Sequence, residues 1–129
     1  MKTLKQHIFE KLKVSTRNTI EHTLFPETKG ELKRMIEDEI SKNGNGCSLN
    51  HINVSKITDM SKLFWDSEFN GDISEWDVSN VIDMSRMFYR SKFNGDISDW
   101  NVSSVEYMGY MFTGSPLEKN LPVWYKYKV

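Results

Sequence analysis

The sequence predicts an α/β fold, a short solenoid of strand–turn–helix units closed at its N-terminal end by an α-helix. Three observations predict it. FNGDIS stands at residues 69–74 and again at 93–98, one 24-residue step apart. Sliding the chain by 24 aligns apolar residues over three full units and the start of a fourth. Within a unit, the apolar spacing changes from alternation to a helical period.

The units run 48–71, 72–95 and 96–119, with a partial one at 120–129. Their columns are Leu49, Ile73, Ile97 and Leu121, then Ile52, Trp76, Trp100 and Trp124. Further columns hold Val54, Val78 and Val102; Ile57, Val81 and Val105; Met60, Met84 and Met108; and Phe64, Phe88 and Phe112. Phe69, Phe93 and Leu117 close each unit. Ile73, Trp76 and Val78 follow LxxLxL spacing, whose alternating second half reads as a short strand. Val81, Met84, Met87 and Phe88 fall at helical spacing, with Ser79 placed as an N-cap. One such unit buries little alone, whereas stacked units share a core.

Residues 1–47 read as a helical N-terminal segment and cap, and residues 48–129 as the repeat array, together one folded domain. Thr28 and Glu31 have capping-box spacing, and Leu32, Met35, Ile36 and Ile40 share one helical face. Asn43-Gly44 stops that helix. Residues 3–13 read as a second, basic amphipathic helix, and 14–25 as a linker. The segment LPVWYKYKV reads as the strand of a fourth unit.

The stretch DISEWDVSNVIDMSRMFYRSKFNG, with its DIS-x-W-[DN]-V-S-x-V core and M-x-x-MF run, resembles the BspA-like leucine-rich repeat of bacterial surface proteins and lipoproteins. The lead-in from Pro26 resembles the segment that often precedes such arrays. The resemblance implies a leucine-rich-repeat-like solenoid that binds other macromolecules and carries no catalytic residues. It also implies a cell-surface setting. No leader, lipid anchor or membrane-length apolar run is visible, so a cytoplasmic location is expected of the chain as written.

Composition bounds the chemistry. The net charge is −1, which argues against nucleic-acid binding by bulk electrostatics. The repeat region is acidic, with 11 acidic and 6 basic residues over 48–119. A single cysteine, Cys47, rules out an intrachain disulfide. His7, His22 and His51 are scattered without zinc-ligand spacing. No phosphate-binding glycine loop or nucleophilic triad is present, so neither an enzyme nor a cofactor is expected. The Asn-Gly-Asp turns could be calcium loops, but each offers few oxygen ligands. Gly71, Asp72, Gly95 and Asp96 are therefore expected to build turns, the glycines in a conformation closed to other residues. The tryptophan column is expected inward, as core rather than as a stacking platform.

Two surfaces remain for a protein partner. Outward strand positions line up Glu75 with Asp99, and Asp77 with Asn101 and Tyr125, an acidic strip suited to a basic partner. Trp65 and Tyr89 follow the core phenylalanines and are expected outward, where aromatics beside charges favour binding. The expected function is a non-catalytic protein-interaction module. A small phage- or mobile-element-encoded inhibitor or structural component that binds a host protein is the alternative.

Overall fold

The computed structural model describes residues 20–126. The helix expected over residues 3–13, the first half of the linker at 14–25, and the end of the fourth unit lie outside them. Among the described residues there is one α-helix, α1 (Lys29–Asn43), and one short 3-10 turn, Pro116–Lys119. No helix among them is long and apolar enough to cross a membrane.

α1 forms as its sequence dictates. Thr28 is extended and its hydroxyl accepts from the Glu31 N–H at 3.2 Å, while the Glu31 carboxylate reaches back to the Glu27 N–H at 2.8 Å. Gly44 ends the helix at φ 89°, a left-handed value glycine adopts without strain, and its N–H returns to the Ile40 carbonyl. Leu32 and Ile36 are buried. Lys29 fixes the helix to the first unit through the Ser61 carbonyl and hydroxyl, both at 3.1 Å, and through Asp59 at 3.4 Å.

The repeat region does not fold as predicted. The expected α/β solenoid of leucine-rich repeats is overturned, because the units contain neither strand nor α-helix and no sheet forms among the described residues. Only four isolated parallel bridges occur among the described residues, such as Asp59 to Asp83 and Asp83 to Tyr107. The 24-residue units are instead chains of turns laid on one another.

The reason lies in where the backbone hydrogen bonds go. The LxxLxL segment bends repeatedly. Trp76 N–H bonds to the Ile73 carbonyl and Val81 N–H to the Val78 carbonyl, and the same turns recur at Ile52, Ile57, Trp100 and Val105. Ser79 caps no helix: its N–H and hydroxyl both bond to Asp77 Oδ1, at 3.0 and 2.6 Å. This side chain-to-backbone closure competes with helix and strand alike.

Where the helix was expected, alternate residues point in different directions. The N–H groups of Met60, Lys62, Phe64 and Asp66 bond to the carbonyls of Asp83, Ser85, Met87 and Tyr89 in the next layer, at 2.8–3.0 Å. Met84, Arg86, Phe88 and Arg90 do the same to Tyr107, Gly109, Met111 and Thr113. The residues between them close three-residue turns, as Leu63 does to Met60 and Trp65 to Lys62. A ribbon of this kind needs left-handed residues in alternate turns, and it finds them in Lys62, Asp66, Arg86, Arg90 and Tyr110, at φ 54–59°. Gly114 continues the series at φ 76°.

The apolar columns are buried all the same. Leu49, Ile52, Met60, Phe64 and Phe69 in the first layer, and their counterparts in the second, are almost fully enclosed. Phe64, Phe88 and Phe112 stack at 5.6 Å between centroids with interplanar angles of 2° and 4°. Trp76, Trp100 and Trp124 stack at 6.4 and 6.3 Å, and each indole N–H bonds to a carbonyl of the preceding layer, that of Leu49, Ile73 or Ile97. The tryptophans thus face inward with their polar edge satisfied.

Gly71 and Gly95 are required by space rather than by φ. Neither lies in the left-handed region, but a Cβ on Gly71 would sit 1.8 Å from the Cys47 carbonyl oxygen, and one on Gly95 would sit 2.6 Å from the Phe93 ring. Gly71→Ala is therefore expected to lower unfolding free energy by about 1–3 kcal/mol in a urea titration. Gly46→Ala, where nothing lies within 4 Å, should change it little.

Candidate functional site

The layers carry their side chains in columns, so exposed groups from successive units meet at fixed places. On the ribbon face, the Trp65 and Tyr89 rings lie 5.3 Å apart at 55°. Lys62 Nζ stands 4.9 Å from the Trp65 ring centre, and the Arg86 guanidinium 5.0 Å from that of Tyr110. Trp65 keeps 42% of its surface exposed and Tyr110 47%. Lys62, in a left-handed turn, reaches Trp65 one turn later in its own ribbon, whereas Arg86, also left-handed, reaches across to Tyr110 in the next layer. Each cation over a ring face is favourable by about 0.5–1 kcal/mol at an exposed site.

The expected acidic strip is dispersed in role. Glu75, Asp77, Asp99 and Asn101 are all exposed. The Asp77 carboxylate is engaged by Ser79, and Asn101 Oδ1 accepts from the Ser103 N–H at 3.1 Å. Tyr125 does not join the strip. It is half-buried, its ring meets Phe112 edge-on at 5.2 Å, and its hydroxyl donates to the Met108 carbonyl at 3.2 Å. Glu75 and Asp99 remain as exposed carboxylates at equivalent positions of successive units.

The reactive groups are placed so as to be quiet. His51 Nε2 is 2.8 Å from Glu39 Oε1, an inter-segment contact that holds α1 to the first layer. Burial pushes the Cys47 thiol above its ordinary pKa, which disfavours the nucleophilic thiolate. A hollow of about 460 Å³ beside the last layer is lined by Asn94, Asp96, Ser98, Leu117 and Leu121 among others, with no histidine or cysteine. His22 is exposed, and His7 lies outside the described residues.

The Asn-Gly-Asp turns are closed by their own chain. Asp72 Oδ1 accepts from the Ser74 N–H at 2.9 Å and its hydroxyl at 2.7 Å, and Asp96 does the same with Ser98 at 3.0 and 2.6 Å. No cluster of three or more potential metal ligands occurs among the described residues. The Asp–x–Ser spacing recurs at 59–61, 77–79 and 83–85, with Asn in place of Asp at 53–55 and 101–103. That spacing was the readable sign of turns where strand and helix were expected.

A family model described as Mycoplasma protein of unknown function, DUF285, matches residues 31–129, more than half of the chain. The match takes in α1 from Glu31 and all the layers. No curated protein and no solved structure matches it.

The turn carboxylates set an acid limit. The Ser74 N–H, and then its hydroxyl, hold Asp72 below the usual carboxylate range, while the Ser98 hydroxyl and N–H do so for Asp96. A carboxylate depressed in the folded state stabilises above its unfolded pKa of about 3.9, and that contribution is lost as pH falls through the folded value. Asn at both positions keeps the Oδ1 acceptor, as Asn53 and Asn101 show. The Asp72→Asn/Asp96→Asn variant is expected to unfold at nearly the wild-type temperature at pH 7. Its stability should fall less steeply than wild type below about pH 4 in a series of thermal melts.

Proposed function

We propose that this chain, which belongs to the DUF285 family, is a non-catalytic protein-binding module of the BspA-like repeat type. One observation carries the proposal: an exposed Trp65 against a half-buried Tyr89 on stacked layers, with Lys62 and Arg86 set over the rings of Trp65 and the exposed Tyr110. Tryptophan, tyrosine and arginine dominate the binding energy of protein interfaces, because they cover large areas at low entropic cost. Here the backbone beneath them is cross-linked by inter-layer hydrogen bonds, so little ordering is left for the partner to impose.

The sign of the face indicates the partner. Lys62, Arg86, Arg90 and Lys92 outnumber Asp66 and Glu68 around the aromatic pair. Acidic and aromatic side chains complement that set. The exposed carboxylates of Glu75 and Asp99 are a second surface, suited to basic side chains. The net charge of −1 favours a protein over a nucleic-acid partner for either surface.

Once a partner is identified by affinity purification from the native host and mass spectrometry, titration separates the two surfaces. Trp65→Ala/Tyr89→Ala should weaken binding about 30-fold or more, corresponding to about 2 kcal/mol, with melting temperature within a few degrees of wild type. Glu75→Lys/Asp99→Lys should weaken it less than five-fold (roughly 1 kcal/mol). The reverse ranking would move the site to Glu75 and Asp99, and no effect from either would remove both.

A further inference from the structure

Four asparagines in the chain are followed by glycine: Asn43, Asn45, Asn70 and Asn94. Such a pair carries its own nucleophile. The glycine nitrogen stands next to the asparagine side-chain carbonyl carbon, and no Cβ shields the approach. A C–N bond forms, ammonia leaves with the proton of the attacking amide, and a succinimide ring results. Water then opens the ring at either carbonyl, giving aspartate or isoaspartate without oxidant, reductant or cofactor. An N–H held in a hydrogen bond must break it before its nitrogen can attack. The asparagine side chain must also be free to turn toward that nitrogen.

The fold grants these freedoms unequally. The Gly44 N–H is held by the Ile40 carbonyl at 2.7 Å at the end of α1, which withholds the nitrogen from Asn43. The Asn70 side chain is anchored, its Oδ1 accepting from the Asn94 N–H at 2.8 Å, and Gly71 is wedged against the Cys47 carbonyl. Gly95, which follows Asn94, is pressed against the Phe93 ring.

Asn45 differs on every count. With Gly46 it forms the centre of a turn closed by the Cys47 N–H on the Gly44 carbonyl at 3.3 Å. A turn of this kind uses only its outer groups. The Gly46 N–H and the Asn45 side chain accordingly have no partner among the described residues. Both residues are exposed, and nothing lies within 4 Å of where a Gly46 Cβ would stand.

We propose that Asn45 is a site of spontaneous deamidation, and that isoaspartate there acts on the joint between α1 and the first layer. The Asn45 carbonyl receives the Asn70 N–H at 2.8 Å, and the Cys47 carbonyl receives that of Asp72 at 3.2 Å. Isoaspartate routes the main chain through the former side chain. It adds one methylene between these two contacts and turns the Asn45 carbonyl into a free carboxylate. Aspartate adds the charge alone. The reaction lies apart from the Trp65–Tyr89 surface and does not depend on it.

The test incubates the full chain in mildly alkaline buffer and follows the four sites by peptide mass spectrometry. In the folded chain Asn45 should convert about ten-fold or more faster than Asn43, Asn70 and Asn94. In concentrated urea the protection is gone, and the four rates should draw to within a few-fold of one another. Gly46→Ala adds its methyl to open space, so it should keep the melting temperature and slow conversion of Asn45 about ten-fold. The isoaspartate form, separated by chromatography, should melt several degrees below the unmodified chain, with Asn45→Asp close to the latter. Faster conversion at any of the other three sites in the folded chain overturns the assignment. The same spread of rates in urea as in buffer does so too, by removing the fold as its cause. An isoaspartate form that melts with the unmodified chain overturns the effect on the joint.

Discussion

The inter-layer hydrogen bonds at alternate residues are the constraint on which the rest depends. Once the N–H groups of Met60, Lys62, Phe64 and Asp66 are committed to the next layer, they cannot close a helix within their own. The intervening N–H groups of Leu63, Trp65 and Ser67 must then find partners locally, and the nearest carbonyls lie three residues back. Alternating turns of that kind oblige Lys62 and Asp66 to adopt positive φ. For a residue with a Cβ the left-handed region costs roughly 1–2 kcal/mol. Four ladder bonds per ribbon, each contributing about 1 kcal/mol net, offset two such residues and leave a surplus. Burial of Met60, Leu63 and Phe64 by the same ribbon adds to it.

This constraint explains what could be read from the residues and what could not. The 24-residue columns state which side chains face inward, and burial depends on that alone; hence Phe64, Phe88 and Phe112 were legible as core. α1 was legible because its cap, its apolar face and its terminating glycine all act within one segment. The conformation of each unit was not, because inward residues spaced three and four apart suit a ribbon of turns as well as a helix. An eight-residue helix is also marginal without strong tertiary support, so the competition was close. The Asp–x–Ser pattern decides it, since every such serine donates to the aspartate two residues before it. In Asp77-Val78-Ser79 the same residues also fit a helix N-cap, because a serine before an apolar run at helical spacing satisfies both patterns.

The candidate surface was legible to the same extent and for the same reason. Trp65 and Tyr89 share a column, so stacking the layers brings their rings together whatever the backbone does between them. Tyr125 was misplaced because its column assumed that a fourth unit repeats the first three. Pro122 stands where Ser74 and Ser98 close their turns, and Leu121 is 47% exposed where Ile73 and Ile97 are buried. Trp124 keeps its column, but the turn shifts by one residue, the Tyr125 N–H bonding the Pro122 carbonyl, and Tyr125 turns inward to Phe112 and the Met108 carbonyl.

The two ends of the stack are consequently unlike. At the first layer, α1 sets Leu32 and Ile36 into the core, and Leu24 pairs with Ile52, so the apolar end is covered by segments that precede it. At the last, Pro116 occupies the place of Lys92, whose N–H bonds to the Ser67 carbonyl, and proline has no N–H with which to repeat that bond. The chain departs there into a short 3-10 turn, and Glu118 from that turn returns to satisfy Gly114. Trp124 and Tyr125 then shield Phe112 without supplying carbonyls to the ribbon. Closure of the core and closure of the backbone ladder are thus separable in this architecture. Aromatic rings accomplish the first, whereas of the last ribbon's ladder donors only that of Gly114 is met among the described residues, by the Glu118 carboxylate.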